Sequence, residues 1–196
     1  MVERRIISSA GEGVISVKGS RFYSFAVSVV SQDEVREYLS ELRSRFPGAT
    51  HIVWAYRLLS DEAFSDAGEP RRTAGLPLLN LLRANSLVNS AIFVVRYFGG
   101  KKLGIPGLIE AYTKSGRIAL SVAKVSRYEK KQNFSISVSW ADYNNIRSLV
   151  SRLGCDLLDE DFGDKVTLSL SVSERLFPAI KERILDATSG RVHFGC

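Results

Sequence analysis

Apolar and polar residues alternate through the first 30 positions and predict a series of short β-strands. These strands cover Arg4–Ile7, Val14–Val17 and Arg21–Val30, and β-branched or aromatic residues fill them. The segments between them are rich in glycine and serine, which are typical of turns. The chain therefore begins with three strands.

Helical spacing replaces this alternation over residues 32–46, where Ser31 is a suitable N-cap and Pro47-Gly48 ends the helix. Strands are predicted again over residues 51–58 and 89–98. The second of these has a continuous apolar centre that is typical of a buried strand. Each strand leads through a turn motif into a helix, and these helices begin at Thr73 and near residue 105. We expect the second helix to run to residue 126.

Residues 128–132 form a charged connector, and the pattern beyond it is compact. The order from residue 133 to residue 195 is strand, helix, strand, strand, helix, strand, which is the ferredoxin-like arrangement. The sequence thus predicts an α+β protein with two domains, residues 1–128 and residues 132–196.

Bulk composition indicates a packed, water-soluble protein, since 45% of the residues are hydrophobic and 24% are charged. No apolar run approaches the roughly 20 residues that a membrane helix needs. The first six residues also lack a hydrophobic signal segment. Cys155 and Cys196 give no disulfide framework, so we expect reduced thiols and a cytoplasmic location.

Positive charge is concentrated in the first part of the chain. Residues 1–131 hold 20 Lys and Arg against 12 Asp and Glu, whereas residues 132–196 hold 7 against 9. The whole chain has a net charge of +6. This distribution favours an anionic partner for the first domain.

Two turn motifs carry most of the candidate chemistry, Ser65–Gly75 and Arg96–Gly104. The segment from Arg71 to Arg117 contains eight basic residues and a single acid, Glu110. Glycines expose backbone amides and helix starts direct partial positive charge outward, so this composition indicates phosphate or another anion. The predicted anion- and nucleic-acid-binding residues are Arg71, Arg72, Arg96, Tyr97, Gly99, Gly100, Lys101, Lys102, Lys114 and Arg117.

Alternative interpretations remain for several of these residues. Gly99-Gly100 also suits a strand-to-helix connection that merely needs glycine. Asp66 and Glu69 suit either a metal or catalytic role or a turn. In that turn Asp66 closes an Asx-type turn and Glu69 pairs with neighbouring arginines or amides, and we favour this interpretation. His51 is a further secondary candidate, for which hydrogen bonding is favoured over catalysis. No nucleotide-binding fingerprint or zinc spacing occurs, so we expect no metal and no cofactor.

Four segments in this order resemble the IMPACT/YigZ family, and the C-terminal module resembles the second domain of its bacterial YigZ-type members. They are Gly19–Phe22, Ala49–Arg57, Asp66–Gly75 and Val94–Gly104. The resemblance implies an N-terminal fold like the second domain of a small-subunit ribosomal protein. It also implies a C-terminal fold like the last domain of translation elongation factor G. Eukaryotic members look like regulators of a translation-control kinase pathway that act through an additional N-terminal domain, which we do not expect here.

The chain departs from the family pattern at four places. Ala67 replaces a second acid, which weakens a two-carboxylate metal site, and Arg71-Arg72 replace Ser-Gly, which favours anion binding. Pro106 stiffens the next helix start, and Glu110 stands where a basic residue is common.

These observations favour a non-enzymatic protein that binds RNA or a ribonucleoprotein, such as the ribosome, and is linked to translation. A regulatory module that contacts a translation-related protein is the alternative. An enzyme that acts on a phosphorylated small molecule is a third hypothesis.

Overall fold

The structure is a computed structural model that describes residues 3–195. Its chain divides into two compact units between Tyr128 and Glu129, and each unit combines helices with strands in a mixed α+β fold. Cys196, for which a reduced thiol is predicted, lies outside the described residues, as do Met1 and Val2.

The first unit begins with β1 (Arg5–Ser9) and contains an antiparallel sheet of five strands. In spatial order the sheet consists of β2 (Gly11–Val17), β3 (Ser20–Ser28), β6 (Ser90–Tyr97), β4 (His51–Arg57) and β5 (Glu62–Ser65). The three early strands are confirmed, whereas β5 was not predicted. Residues 90–96 of the central strand β6 are all buried, because helices cover both faces of the sheet.

Three helices enclose this sheet. α1 (Gln32–Arg45) covers one face with Val35, Leu39 and Leu42, and the predicted cap at Ser31 accepts a hydrogen bond from the Glu34 amide. α2 (Gly75–Ala84) and α3 (Gly104–Val122) cover the other face. The sheet is therefore the middle of three layers.

The predicted extension of α3 to residue 126 is wrong. The helix ends at Val122, Ala123 has extended backbone angles, and β7 (Lys124–Arg127) pairs antiparallel with β1. Residues about 120 positions apart in sequence make this pairing, so helical periodicity within the segment does not reveal it.

The second unit contains β8 (Lys131–Val138), α4 (Trp140–Arg152), β9 (Asp156–Phe162), β10 (Val166–Ser173), α5 (Phe177–Ala187) and β11 (His193–Gly195). The predicted order of strands and helices is confirmed. Its antiparallel sheet has the spatial order β11-β8-β10-β9. Cys155 is a free, buried thiol, and burial raises its pKa. Within residues 3–195 no helix is both long enough and apolar enough to cross a bilayer.

Candidate functional site

A row of three side chains crosses the sheet of the first unit at the end of β6. Arg96 lies opposite Phe22 of β3 and opposite His51 of β4. Because side chains alternate between the faces of a strand, all three lie on the face that α2 and α3 cover. Tyr97 therefore lies on the other face, although the sequence groups it with Arg96.

Arg96 is buried at the centre of a charged network. Its Nη1 donates to Oε1 of Glu69 at 2.5 Å and its Nη2 donates to Ser20 Oγ at 3.3 Å. The guanidinium also lies over the rings of Phe22 and Phe98, 5.4 and 5.5 Å from their centroids. Only 4% of Arg96 is exposed. The predicted phosphate contact at Arg96 is thus corrected, because Glu69 already neutralises this cation.

Glu69 also binds helix α3 through Tyr112. The Tyr112 hydroxyl donates to the same oxygen, Oε1, at 2.8 Å. Burial, followed by the negative charge of Glu69, raises the pKa of Tyr112 well above its ordinary value. The phenol therefore stays protonated and remains a hydrogen-bond donor. The favoured interpretation, in which Glu69 pairs with neighbouring arginines or amides, is therefore right about the kind of partner but not about its position, because the arginine is Arg96 on β6.

His51 completes the network from β4. Its Nδ1 lies 2.8 Å from the carbonyl oxygen of Ala67, and its Nε2 lies 3.8 Å from Glu69 Oε1. The ring thus holds the turn that carries Glu69 against the sheet. This contact agrees with the hydrogen-bonding role favoured for His51.

Asp66, in the same turn as Glu69, binds backbone amides and not side chains. Its carboxylate accepts hydrogen bonds from the backbone amides of Arg72, Ala74 and Gly75, at 2.7, 3.0 and 2.8 Å. The start of α2 is therefore occupied by a carboxylate of the chain itself, which corrects the expectation that the helix start after the first turn motif faces an external anion. In residues 3–195, no three His, Cys, Asp or Glu side chains gather as metal ligands.

The glycine loop after β6 has a structural purpose at Gly99. A Cβ added to Gly99 would lie 1.9 Å from the carbonyl carbon of Gly19, so the two backbones meet where a side chain has no space. The Gly99 amide donates to Ser20 Oγ at 3.2 Å. That amide is not free for a phosphate, which corrects its predicted role. Gly100 is exposed and has a φ of +81°.

A pocket of about 340 Å³ opens over this network. Glu69 and Arg96 line it together with Lys102, Leu103, Ile105 and Leu108, so its polar part is charged and its remaining wall is apolar. The first residue of α3, Gly104, also borders the pocket, and no side chain within residues 3–195 caps this helix. The pocket therefore joins a buried carboxylate, an apolar wall and a free helix start.

Six of the predicted basic residues are exposed side chains. None of them has a carboxylate within 4 Å in the part of the chain that the structure describes. They are Arg71, Arg72, Lys101, Lys102, Lys114 and Arg117. Arg71 and Arg72 follow Pro70, which borders the pocket, and Lys102 lines it.

Tyr97 belongs to different surroundings. Its hydroxyl donates to the Pro47 carbonyl at 3.1 Å, and its ring packs edge-on against Tyr23 at 6.1 Å. Tyr97 instead borders a second pocket of about 270 Å³ with Arg21 and Phe98. Consecutive strand residues point to opposite faces, so Tyr97 is separate from the Arg96 network, and its contact with nucleic acid stays a prediction.

Sequence reasoning gave no functional role to Ser20, Leu103, Ile105 or Leu108. It did not identify Tyr112 as a partner of Glu69 either. Nothing local distinguishes a tyrosine that donates to a buried carboxylate from one that only fills the core. The one available signal is Arg96 itself, which lies among apolar strand residues. A buried arginine requires a nearby carboxylate or another acceptor.

Two family models match this chain. The Impact N-terminal domain matches residues 18–120, which contain the charged network and the pocket. A domain of unknown function, DUF1949, matches residues 136–191 in the second unit.

Individual proteins show the same relationship. An IMPACT family member of Haemophilus influenzae is 27% identical over 98% of this chain and 96% of its own length. The crystal structure of a hypothetical protein covers 99% of this chain and 97% of its own, with 23% identity and a TM-score of 0.73. A structure described as the two-domain translational regulator Yih1 is 25% identical and covers 59% of this chain and 48% of its own. Its TM-score is 0.38, so it carries no structural argument.

Proposed function

This chain belongs to the IMPACT family, and from that premise we propose that it is a cytoplasmic, non-enzymatic protein that binds RNA or a ribonucleoprotein. The observation that carries this proposal is the set of six exposed cations without carboxylate partners in residues 3–195. Cations that no nearby acid neutralises are available to phosphates. They come from the Asp66–Gly75 turn, the glycine loop and helix α3.

The spacing of these cations suits a strand of several phosphates. Lys114 lies ten residues beyond Gly104 on α3, which corresponds to about 15 Å along the helix axis. A single small anion does not span that distance, whereas a polynucleotide backbone does. Glu110 lies one turn before Lys114 and weakens the positive surface locally.

The link to translation rests on family membership and on fold analogy. We propose that the first unit is related to the second domain of a small-subunit ribosomal protein, and the second unit to the last domain of elongation factor G. Fold analogy alone does not establish function. The second unit, in which acids outnumber bases, is proposed to contact a translation-related protein.

Co-sedimentation with ribosomes and with RNA tests this proposal. If about five phosphates are contacted, log Kd should change with log salt concentration by a slope of about 3.5 to 4.5 in magnitude. The variant Arg71→Glu/Lys101→Glu should sediment far less at low salt. Binding that is independent of salt, or equal sedimentation of the variant, would contradict RNA binding through this surface.

Arg175→Glu/Arg183→Glu is a matched control. Both residues are exposed in the second unit and have no carboxylate within 4 Å in the described chain, so the net charge changes by the same amount. This control should retain RNA binding. If Lys101→Glu/Lys102→Glu leaves a protein partner bound while RNA binding is absent, the alternative of a protein-interaction module is favoured.

A further inference from the structure

The pocket over Glu69 combines features that the binding of phosphates alone does not require. Its volume of about 340 Å³ lies at the lower end of the range for small-molecule sites. A surface that only attracts a polyanion needs cations, not an apolar recess with a buried carboxylate beneath it. The recess therefore requires a separate explanation.

Glu69 retains one oxygen for a ligand. Its side chain is only 4% exposed, and both of its hydrogen bonds within residues 3–195 go to Oε1. Oε2 accepts no hydrogen bond in that part of the chain. It is also not fully enclosed, since the fully buried side-chain atoms without a partner there are Arg96 Nε and Ser115 Oγ. Glu69 lines the pocket, and its unbonded oxygen is the acceptor that an N–H group of a ligand would use.

The wall of the pocket is apolar and its rim is positively charged, so each suits a different part of a ligand. Leu103, Ile105 and Leu108 give the wall an apolar surface that suits a flat, weakly polar ring. The rim carries Lys102 and the uncapped start of α3, where backbone amides and the helix dipole favour an anion. The ligand thus carries N–H donors at one end and negative charge at the other.

We propose that this pocket binds one unpaired nucleobase, with guanine preferred, and that the attached phosphate contacts Lys102 and the start of α3. Guanine presents two adjacent donors, N1–H and the N2 amine, whereas uracil presents one N–H between two carbonyls. A buried carboxylate oxygen discriminates between these edges. The inference rests on the proposed function, because the base is then part of a bound RNA strand.

Fluorescence anisotropy with short labelled RNA strands tests this inference. The strands are oligouridine, oligouridine with one central guanosine, and the same strand with inosine, which lacks the N2 amine. At fixed salt the guanosine strand should bind roughly five- to 100-fold more tightly than oligouridine, with the inosine strand between them. Equal affinity of all three strands, with the salt slope retained, would overturn the pocket inference and leave RNA binding intact.

Two variants separate the pocket from the rest of α3. Ile105 is 59% exposed at the pocket, and Ile109 is 41% exposed one turn further along the helix and does not line it. Ile105→Trp should obstruct the pocket and abolish the guanine preference, without a change of charge or salt slope. Ile109→Trp should retain the preference. Loss of the preference in both variants, or in neither, contradicts the assignment.

Guanosine monophosphate distinguishes a free nucleotide from a base within a strand. Saturable shifts of the Gly104 and Leu108 amide resonances that disappear in Ile105→Trp support the pocket. If they occur without any guanine preference among the strands, the ligand is the free nucleotide. If neither the nucleotide nor the strands respond to Ile105→Trp, the inference is wrong. Absence of binding to every strand would instead refute the proposed function.

Discussion

Helices α2 and α3 both follow a glycine-containing turn motif, but their first amides have different partners. Two amides at the start of α2, and that of Arg72 just before it, donate to the carboxylate of Asp66. At the start of α3 no side chain of residues 3–195 acts as a cap, and the helix begins at the wall of a pocket. The two motifs look alike in sequence, but the helix start after the first is occupied by Asp66, and the helix start after the second is open.

The comparison shows that a glycine-rich, basic sequence does not reveal whether its anion is a carboxylate of the same chain or an external ligand. Asp66 and Glu69 lie three residues apart in one turn, yet both oxygens of Asp66 accept from backbone amides at or just before the start of α2. Glu69 uses Oε1 on Arg96 and Tyr112 and leaves Oε2 unbonded in the described chain. The first carboxylate stabilises the fold, and the second also forms part of a pocket.

Removal of the Glu69 carboxylate should have the largest effect. Glu69→Ala should destabilise the protein by about 3–5 kcal/mol, because it leaves the buried guanidinium of Arg96 without its counter-charge. Urea denaturation measures the free energy of unfolding. Glu69→Leu/Arg96→Met, which removes both charges, should lose much less stability. A loss below about 1 kcal/mol in Glu69→Ala would mean that the pair contributes little.

Tyr112→Phe removes the hydrogen bond from α3 to the same carboxylate. We expect a loss of about 1.5–3 kcal/mol, since the hydroxyl donates to a charged group. The raised pKa of Tyr112 also has a pH consequence. The unfolded chain releases this proton near pH 10, whereas the folded protein keeps it. The contribution of Tyr112 to the free energy of unfolding is therefore fully present below about pH 10 and is lost as the pH rises further.

Denaturation at neutral pH and above pH 10 therefore tests the role of Tyr112. The loss of stability on raising the pH should be smaller in Tyr112→Phe than in the unmodified protein. Other tyrosines serve as the internal reference, because their contribution is common to both proteins. An identical pH dependence would argue against a buried, protonated Tyr112.

Asp66→Ala tests the filled helix start. It should cost about 1–2 kcal/mol, similar to or somewhat more than Ser31→Ala at the cap of α1. Removal of the carboxylate also frees the α2 amides, so sulfate should stabilise Asp66→Ala more than it stabilises Ser31→Ala. If sulfate affects these two variants equally, the start of α2 is not an anion site even when empty.

Ile105→Glu tests the open helix start with the smallest expected effect. A carboxylate in the first turn of α3 should add about 0.3–1 kcal/mol of stability through the helix dipole. Ile109→Glu introduces the same charge beyond the first turn and should add less. Thermal denaturation at low salt measures the difference, and high salt should reduce it. Equal effects at both positions would show that the start of α3 is not electropositive.

Much of the fold was predictable because its local patterns are strong. The alternation at residues 4–30, the spacing and cap of α1, and the order of elements from residue 133 to residue 195 agree with the structure. Each of these signals lies within a few consecutive residues. The first error, the length of α3, occurs where the pairing of β7 with β1 overrides a segment that also suits a helix.

The candidate site was predictable in composition but not in arrangement. The sequence located the basic residues and both turn motifs, and it favoured neighbouring arginines or amides as partners of Glu69. It did not reveal that Arg96 is that partner, since every residue from Ser90 to Arg96 is buried and the pattern on β6 does not distinguish its two faces. For the same reason the sequence did not show that Arg96 and Tyr97 lie on opposite faces of the sheet.

By itself the sequence determined the family, the order of most elements and the concentration of positive charge in the first unit, because these follow from residue types and local spacing. Tertiary structure alone decided which charges are available. It brought Glu69 to Arg96 and Tyr112, Asp66 to the start of α2, and Gly99 against Gly19. The physical reason is that burial and pairing depend on residues distant in the chain, and a buried charge must be neutralised by whichever partner the fold brings to it.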